Sequence, residues 1–270
     1  MTPLGHQSAN RFGIGGRLRV EFRAASDHAE SHGWLSTGRR KPLAIPRNTY
    51  QSGRETAPMH GLGDSRFFDR LAPIYDLVMP AADRALLTAG LARVEGPLEH
   101  LLDLGGGSGR ATIAVAAPER TVVDVSRPML RRARSRQPDE TGRRLGRPAD
   151  GDRVGPLGAV QGDAGGLPVA DDAVDAAIVV DAFHHMPDHR AVIAEAARVI
   201  RPGGVFVVRE FDPSHPLGWG LVRAEHLIGM GSTFRTPNEL ADLLAAAGFE
   251  ASLLDGGFQY TMVGRVPAAE

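Results

Sequence analysis

The stretch that decides the fold reads Leu-Leu-Asp-Leu-Gly-Gly-Gly-Ser-Gly-Arg and covers residues 101–110. A short apolar run opens into four glycines, and the Ala- and Val-rich segment from Ala111 to Ala116 follows it. This order predicts a buried strand, a tight loop and a helix. Glycines let the backbone take positive φ angles and approach a ligand closely, and a helix start offers N–H groups to carboxylates or phosphates. The stretch therefore predicts a ligand-binding loop at the end of a strand.

The spacing of the glycines separates two classes of ligand. A dinucleotide fingerprint G-x-G-x-x-G that starts at Gly105 needs a glycine at position 110, where Arg110 stands. The pattern present is D-x-G-x-G-x-G, from Asp103 through Gly105 and Gly107 to Gly109. An NAD-dependent oxidoreductase is therefore the least favoured enzyme class.

Further strand-loop units follow this one along the chain. The run 121–124 is apolar and ends in Asp124, whose carboxylate can accept hydrogen bonds from both hydroxyls of a ribose. Residues 160–164 read Val-Gln-Gly-Asp-Ala, and the almost wholly apolar run 174–180 predicts a strand buried on both faces. A helix near Asp188, a turn at Arg201–Gly204 and a fifth strand over 205–209 complete the alternation. The chain is thus predicted to be an α/β protein with a mainly parallel sheet.

These segments, in this order, resemble the class I S-adenosylmethionine (SAM)-dependent methyltransferases, specifically the type 11 and ubiquinone/menaquinone C-methyltransferase groups. The matching motifs are D-x-G-x-G-x-G, D-V-S-R-P-M-L from Asp124, and G-D-A-x-x-L-P from Gly162. Residues 68–76 add F-D-x-x-A-x-x-Y-D. The resemblance implies a Rossmann-like, mainly parallel seven-stranded sheet with helices on both faces and an antiparallel last strand. The segment 136–158 departs from the pattern and predicts a surface insertion.

The resemblance also implies SAM as the cofactor and a role for each matching residue. Asp103 would fix the methionine amine, the loop would pass under the cofactor, and Asp124 would hold the ribose. Apolar side chains after Asp124 would cover the adenine, and Asp163 would receive its amine. The full set of expected cofactor-binding residues is Asp103, Gly105, Gly107, Gly109, Asp124, Val125, Met129, Asp163, Ala164 and Asp181.

Catalytic residues leave a fainter signal, because methyl transfer from a sulfonium needs mainly alignment and exclusion of water. His184 and His185 follow the fourth predicted strand, and either could remove a proton from a phenol or an acidic carbon, with His185 preferred. Alternatively, both only pack and cap the next helix. Tyr75 would lie near the methionine end by resemblance, or be a core aromatic. A metal site at 184–189 is not expected.

The segment after Glu210 leaves two interpretations open. Leu217, Leu221, Ala224 and Ile228 recur at helical spacing. They predict either an ordinary amphipathic helix or an apolar lid over a lipid or aromatic acceptor. The second interpretation includes peripheral contact with a lipid-soluble substrate.

Composition and charge indicate which mechanisms and acceptors are excluded and where the folded domain begins. The absence of cysteine excludes thiolate mechanisms. Residues 1–58 carry nine Lys and Arg against four Asp and Glu, so they form a basic arm, expected to be disordered or spurious, before a methyltransferase domain over 59–270. The remaining acidic body disfavours a nucleic-acid partner. We expect a cytoplasmic enzyme acting on carbon or oxygen of a small, apolar or aromatic, quinone-like acceptor.

Three alternatives accompany this expectation. The basic arm favours an RNA or protein methyltransferase, and a SAM-binding module without transferase activity has the same motifs. The third is the NAD-dependent oxidoreductase, which Arg110 opposes. No D/N-P-P-Y/F/W motif is present in the sequence, and by family resemblance this disfavours methylation of amino and amide nitrogens.

Overall fold

A computed structural model describes residues 68–69, 82–136, 155 and 157–268. Its sheet has seven strands: β1 His100–Leu104, β2 Glu119–Asp124, β3 Leu157–Gln161, β4 Val174–Val180, β5 Ile200–Phe211, β6 Glu250–Asp255 and β7 Gln259–Arg265. The helices are α1 Arg84–Leu91, α2 Arg127–Ser135, α3 His189–Val199, α4 Pro216–Leu227 and α5 Pro237–Ala246. Two short 3₁₀ turns cover Thr112–Ala114 and Phe183–His185. In the described part of the chain, no helix is both long and apolar enough to span a membrane.

The strand order in the sheet is β3-β2-β1-β4-β5-β7-β6. Every neighbouring pair from β3 to β5 is parallel, whereas β7 runs antiparallel to both β5 and β6. The sheet confirms the predicted Rossmann-like α/β class with an antiparallel last strand. Because β1 to β4 are parallel, the loops that follow them meet at one edge, where ligands bind in such sheets.

Apolar side chains cover the sheet on both faces. On one face Leu102 and Val179 pack with Ile193 of α3 and Leu240 of α5. On the other face Leu101 and Ile178 pack with Leu87 of α1, while Val122 packs against Leu130 and Ala133 of α2. All seven residues of β4 are buried, as the apolar run predicted.

Two local predictions were wrong. The segment 111–116 forms only the short turn Thr112–Ala114 and not a helix, because Pro118 and the start of β2 leave no room for a further turn. The predicted turn at Arg201–Gly204 lies inside β5, which begins at Ile200. There the pairing with β4 shifts register, and Gly203 takes a φ of 75°.

Several predictions fall on residues outside the described ranges. These are the basic arm 1–58, the domain start at Met59, Tyr75 and most of its helix, and most of the insertion 136–158. They stay predictions.

A buried carboxylate organises the edge of the sheet away from the glycine loop. Asp175 of β4 is fully buried and accepts hydrogen bonds from the backbone N–H groups of Glu99 and His100, each over 2.8 Å. Arg201 Nε donates to the same carboxylate over 2.6 Å. Burial opposes ionisation, but the His100 side chain, whose Nδ1 lies 3.7 Å from Oδ2, and these donors outweigh it and hold the pKa of Asp175 well below its ordinary value.

Replacing Asp175 with Asn should lower the free energy of unfolding by about 3 kcal/mol at pH 7, because Arg201 loses its buried partner. In the wild type the stabilisation is present above the unfolded pKa of about 4 and fades as the pH falls below it. The free energy of unfolding, measured with urea, should therefore fall less steeply with decreasing pH below about 4 in Asp175→Asn than in the wild type. Asp171→Asn is the control, since that exposed carboxylate pairs with Arg198 at the surface and should cost below about 0.5 kcal/mol. Equal stability losses in the two variants would contradict the assignment.

Candidate functional site

The glycine loop after β1 is fixed to the end of β2 by Asp124. Asp124 Oδ2 accepts from the backbone N–H of Gly107 over 2.8 Å, and Oδ1 accepts from that of Ser126 over 2.7 Å. Gly105, Gly107 and Gly109 have φ values of 66°, 55° and 77°, a region that other residues rarely adopt. Burial raises the pKa of Asp124, and the two backbone donors oppose that rise.

Asp103 lies beneath this loop. Its carboxyl group is fully buried, accepts a hydrogen bond from the Thr112 hydroxyl, and sits where a side chain at Gly106 would overlap it. Among the residues that the structure describes, its buried Oδ1 atom has no hydrogen-bond partner. Burial is the main cause that raises the pKa of Asp103 to about 7. The structure thus places Asp103 under the cavity rather than among the residues that line it.

Two adjoining cavities open above the loop. The first is lined by Phe68, Gly105, Gly107, Asp124, Val125, Ser126, Met129, Asp181, Ala182, His185 and Met186. The second is lined by Gly105, Val123, Asp124, Val125, Gly162, Asp163, Ala164, Met186 and Pro187. Both cavities are lined by Gly105, Asp124, Val125 and Met186, so they adjoin. Together they are called the cofactor bed. The structure brings together every expected cofactor residue except Asp103 and Gly109. A side chain at Gly109 would point away from the cavity, toward Leu157 and Ala133.

The end of β4 holds a strained acid. Asp181 has a φ of 52°, a conformation that costs a non-glycine residue on the order of 1 kcal/mol. Arg110 Nη2 donates to its Oδ2 over 3.3 Å, and Gln259 Nε2 donates to its Oδ1 over 2.8 Å. Burial raises the pKa of Asp181, with Glu210 adding to the rise and Arg110 opposing it. Arg110, which argued against a dinucleotide motif, therefore partners an acid that lines the cavity.

The two histidines of the turn Phe183–His185 have different surroundings. His185 lines the first cavity, and its Nδ1 lies 3.1 Å from the Ser232 hydroxyl. His184 is 2% exposed, and its Nδ1 lies 2.7 and 2.8 Å from the two carboxylate oxygens of Glu210. Burial lowers the affinity of His184 for a proton, but Glu210 and Glu225 outweigh it and raise its pKa to about 10. Of the two histidines, only His185 lines the cavity.

Two described residues of the N-terminal segment lie against this site. The ring of Phe68 meets the ring of His185 edge to face, with centroids 4.8 Å apart. Ser126 Oγ donates to Asp69 Oδ1 over 2.6 Å, directly beside Asp124. Tyr75 of the same motif lies outside the described residues.

The apolar spacing on α4 does not pack into the core. Leu217 and Ile228 are 64% and 62% exposed, and the buried member of the helix is Gly218. The predicted helix is present, with Leu221 half-buried and most of its apolar face exposed, and the interpretation as an apolar lid stays a prediction.

The chain resembles known proteins over the segment that builds the site. A family model described as a methyltransferase domain matches residues 102–208. The ubiquinone/menaquinone biosynthesis C-methyltransferase of Syntrophotalea carbinolica is 29% identical over 238 residues, which are 78% of this chain and 89% of that protein. The demethylmenaquinone methyltransferase of Clavibacter sepedonicus is 36% identical, over 57% of this chain and 60% of that protein.

A solved structure gives the same fold. The SAM-dependent methyltransferase structure from Thermotoga maritima is 21% identical, has a TM-score of 0.53, and is matched over 75% of this chain and 97% of that one. Together these matches support a class I SAM-dependent methyltransferase, and that family implies SAM as the methyl donor.

Sequence reasoning missed four partners of site residues. Thr112 and Gln259 bond Asp103 and Asp181, Glu210 bonds His184, and Asp69 bonds Ser126. Asp69 stands in a motif that was recognised, so its contact could have been sought there. The others are joined only by the folding of distant segments, and no local pattern marks them.

Replacing Asp103 with Asn should flatten the pH dependence of stability in the cofactor-free protein. The unfolded Asp103 ionises near pH 4 and the folded one at about 7, so the wild type loses roughly 2–4 kcal/mol as the pH rises through that window. Asparagine keeps the shape and can still accept the Thr112 hydrogen bond without ionising. Urea unfolding at several pH values between about 4.5 and 8 measures the slope.

The matched control is Asp212→Asn, which alters a half-buried carboxylate in the loop after β5 and should keep the wild-type slope. An unchanged slope in Asp103→Asn would show that the folded carboxyl group is already ionised at low pH.

Proposed function

We propose that the chain transfers a methyl group from SAM to carbon or oxygen of a small, apolar aromatic acceptor of quinone type. The observation that carries this proposal is the shared lining of one cavity by the glycine loop, Asp124, Phe68 and His185. The residues expected to hold the cofactor thus lie next to Phe68, which can bind a ring, and His185, which can accept a proton.

The residues present fit SAM. Asp124 keeps acceptor capacity for two ribose hydroxyls beyond its two backbone bonds, because a carboxylate accepts about four. Val125 and Met129 offer apolar surface for the adenine, and Asp163, whose Oδ1 already accepts from Gly165, lies beside Ala164 for its amine. When bound, SAM supplies a methyl group on a cationic sulfur, which a nucleophile displaces.

The acceptor side of the cavity is mainly apolar and aromatic. Phe68, Ala182 and Met186 line it, and the Phe68 ring forms a T-shaped contact with the His185 ring. Such walls bind a flat ring by burial and stacking and do not offer donors for a highly polar substrate. The names of the two quinone-methylating relatives support the same class of acceptor.

His185 is the proposed general base. As the nucleophile forms its bond to the methyl carbon, His185 takes the proton from the acceptor hydroxyl or acidic carbon. Its Nδ1 lies 3.1 Å from Ser232 Oγ, which restrains the ring. Asp181 is restrained by Arg110 and Gln259 and lies on the same cavity wall, where its charge favours a cationic ligand.

Calorimetry with the full chain should show saturable SAM binding, and Asp124→Asn should weaken it by about 10- to 100-fold. The loss corresponds to one or two charge-assisted hydrogen bonds to the ribose. Asp255→Asn is the matched control, because Asp255 ends β6 as Asp124 ends β2 but lies outside both cavities. Absence of SAM binding by folded wild type would overturn the proposal.

Methyl transfer is tested with radiolabelled SAM and two acceptors, a short-chain demethylmenaquinol and a simple catechol. We expect labelled product with at least one, and a fall in kcat of about 100-fold in His185→Gln with SAM affinity within twofold. His215→Gln, at the start of α4 and outside the cavity lining, should keep wild-type kcat. Tight SAM binding with no transfer to either acceptor would favour a binding module without transferase activity.

A further inference from the structure

The buried pair of His184 and Glu210 has no direct place in the proposed reaction. Glu210, at the end of β5, is fully buried, and His184 is 2% exposed. Neither residue lines the two cavities. A buried ion pair costs desolvation free energy and adds little net stability, so its presence beside the cavity residue His185 calls for another explanation.

Glu210 holds His184 by its ring and by its backbone. The Nδ1–H of His184 donates to the carboxylate over 2.7 Å, and the backbone N–H of His184 donates to Oε2 over 3.0 Å. Fixing both groups leaves the turn Phe183–His185 a single orientation relative to β5. Phe234 stacks on the His184 ring, with centroids 4.3 Å apart.

The segment 232–233 connects His184 to the ring of His185. The backbone N–H of Thr233 donates to the His184 carbonyl over 2.7 Å, and Ser232 in turn contacts His185 Nδ1 over 3.1 Å. The rings of His184 and His185 are 3.9 Å apart. The position of the His185 ring thus depends on where the ion pair holds His184.

We propose that His184 is a positioning residue, whose ion pair with Glu210 fixes the ring of His185 at the acceptor side of the cavity. This inference rests on the proposed function, in which His185 is the base. The charged groups that face the His184 ring are Glu210 from β5 and Glu225 from α4, whose Oε1 lies 3.7 Å from His184 Nε2.

The alternative role for His184 is that of a metal ligand. One ligand atom each from His184, His185 and Glu225 lies within 4.8 Å of the others, close enough to gather around a metal ion. A metal would need Nε2 of His184 unprotonated, which leaves a neutral ring that still donates Nδ1–H to Glu210 in place of an imidazolium in an ion pair. The two roles therefore differ in the charge of the His184 ring and in metal binding, which can be measured.

The test compares His184→Gln with His189→Gln. His189 is a matched control because it is also buried in the same region, bonds Phe183 and Arg235, and does not line the cavity. We expect His184→Gln to lower kcat with the demethylmenaquinol or catechol by at least about tenfold, with SAM affinity within twofold. His189→Gln should lose similar thermal stability and keep its kcat.

An NMR comparison makes the test independent of the acceptor. With S-adenosylhomocysteine bound, the ring resonances of His185 should shift in His184→Gln and stay unchanged in His189→Gln. If His184→Gln does not fold, the double variant His184→Gln/Glu210→Gln, which leaves no uncompensated buried charge, takes its place in both measurements.

Two results would overturn the inference. Unchanged His185 resonances in the His184 variant would make the ion pair structural only, even if kcat fell with stability. Stoichiometric Zn²⁺ or Mn²⁺ binding by the wild type, lost in His184→Gln, would make His184 a ligand. If wild type methylates neither acceptor, the proposed function fails, and the NMR comparison alone decides whether His184 positions His185.

Discussion

The bond from the Gly107 backbone N–H to the Asp124 carboxylate is the contact on which the site depends. It joins the loop after β1 to the end of β2, and the other carboxylate oxygen accepts from Ser126 at the start of α2. Parallel pairing of β1 with β2 brings these ends together, with Leu104 opposite Val123. The same carboxylate therefore fixes the loop, starts a helix and lines both cavities. A change at this position would alter the shape of the bed as well as its charge.

The carboxyl edge of the sheet carries more buried acid than buried base, and the chain satisfies each acid differently. Asp103 has a pKa of about 7 and accepts one hydrogen bond, from the Thr112 hydroxyl. Asp181 uses a guanidinium and an amide, and Glu210 uses an imidazolium. Buried acids that remain partly compensated favour a cationic ligand, since a positive charge lowers the cost of ionising them. A sulfonium cofactor meets that electrostatic requirement, whereas a polyphosphate does not.

The sequence predicted the sheet well because strand ends carry local signals. Apolar runs that close on glycine or acid marked β1, β2 and β4, their alternation with helices predicted a mainly parallel sheet, and the family resemblance supplied the seven strands and the antiparallel last one. The prediction of a helix over 111–116 was wrong because it relied on the Ala- and Val-rich composition and ignored the nearby Pro118. The predicted start of β5 was wrong because a Pro-Gly-Gly stretch can continue a strand through a register shift. Cofactor residues were recognisable from spacing within single segments. Glu210 and Gln259 were not, because their bonds join residues 26 and 78 positions apart.

His184 and His185 show what spacing cannot express. They are neighbours with the same side chain, yet a 3₁₀ turn directs one into an ion pair and the other to the cavity. The cofactor half of the site is built on strand ends, whereas Phe68, Ser232 and Phe234 contribute from segments outside the sheet. Segments of this kind can change without disturbing the sheet, so a fold that keeps one cofactor bed can present different walls to different acceptors. A buried ion pair anchored on β5 connects the two halves, because it ties the turn that carries His185 to the rigid sheet.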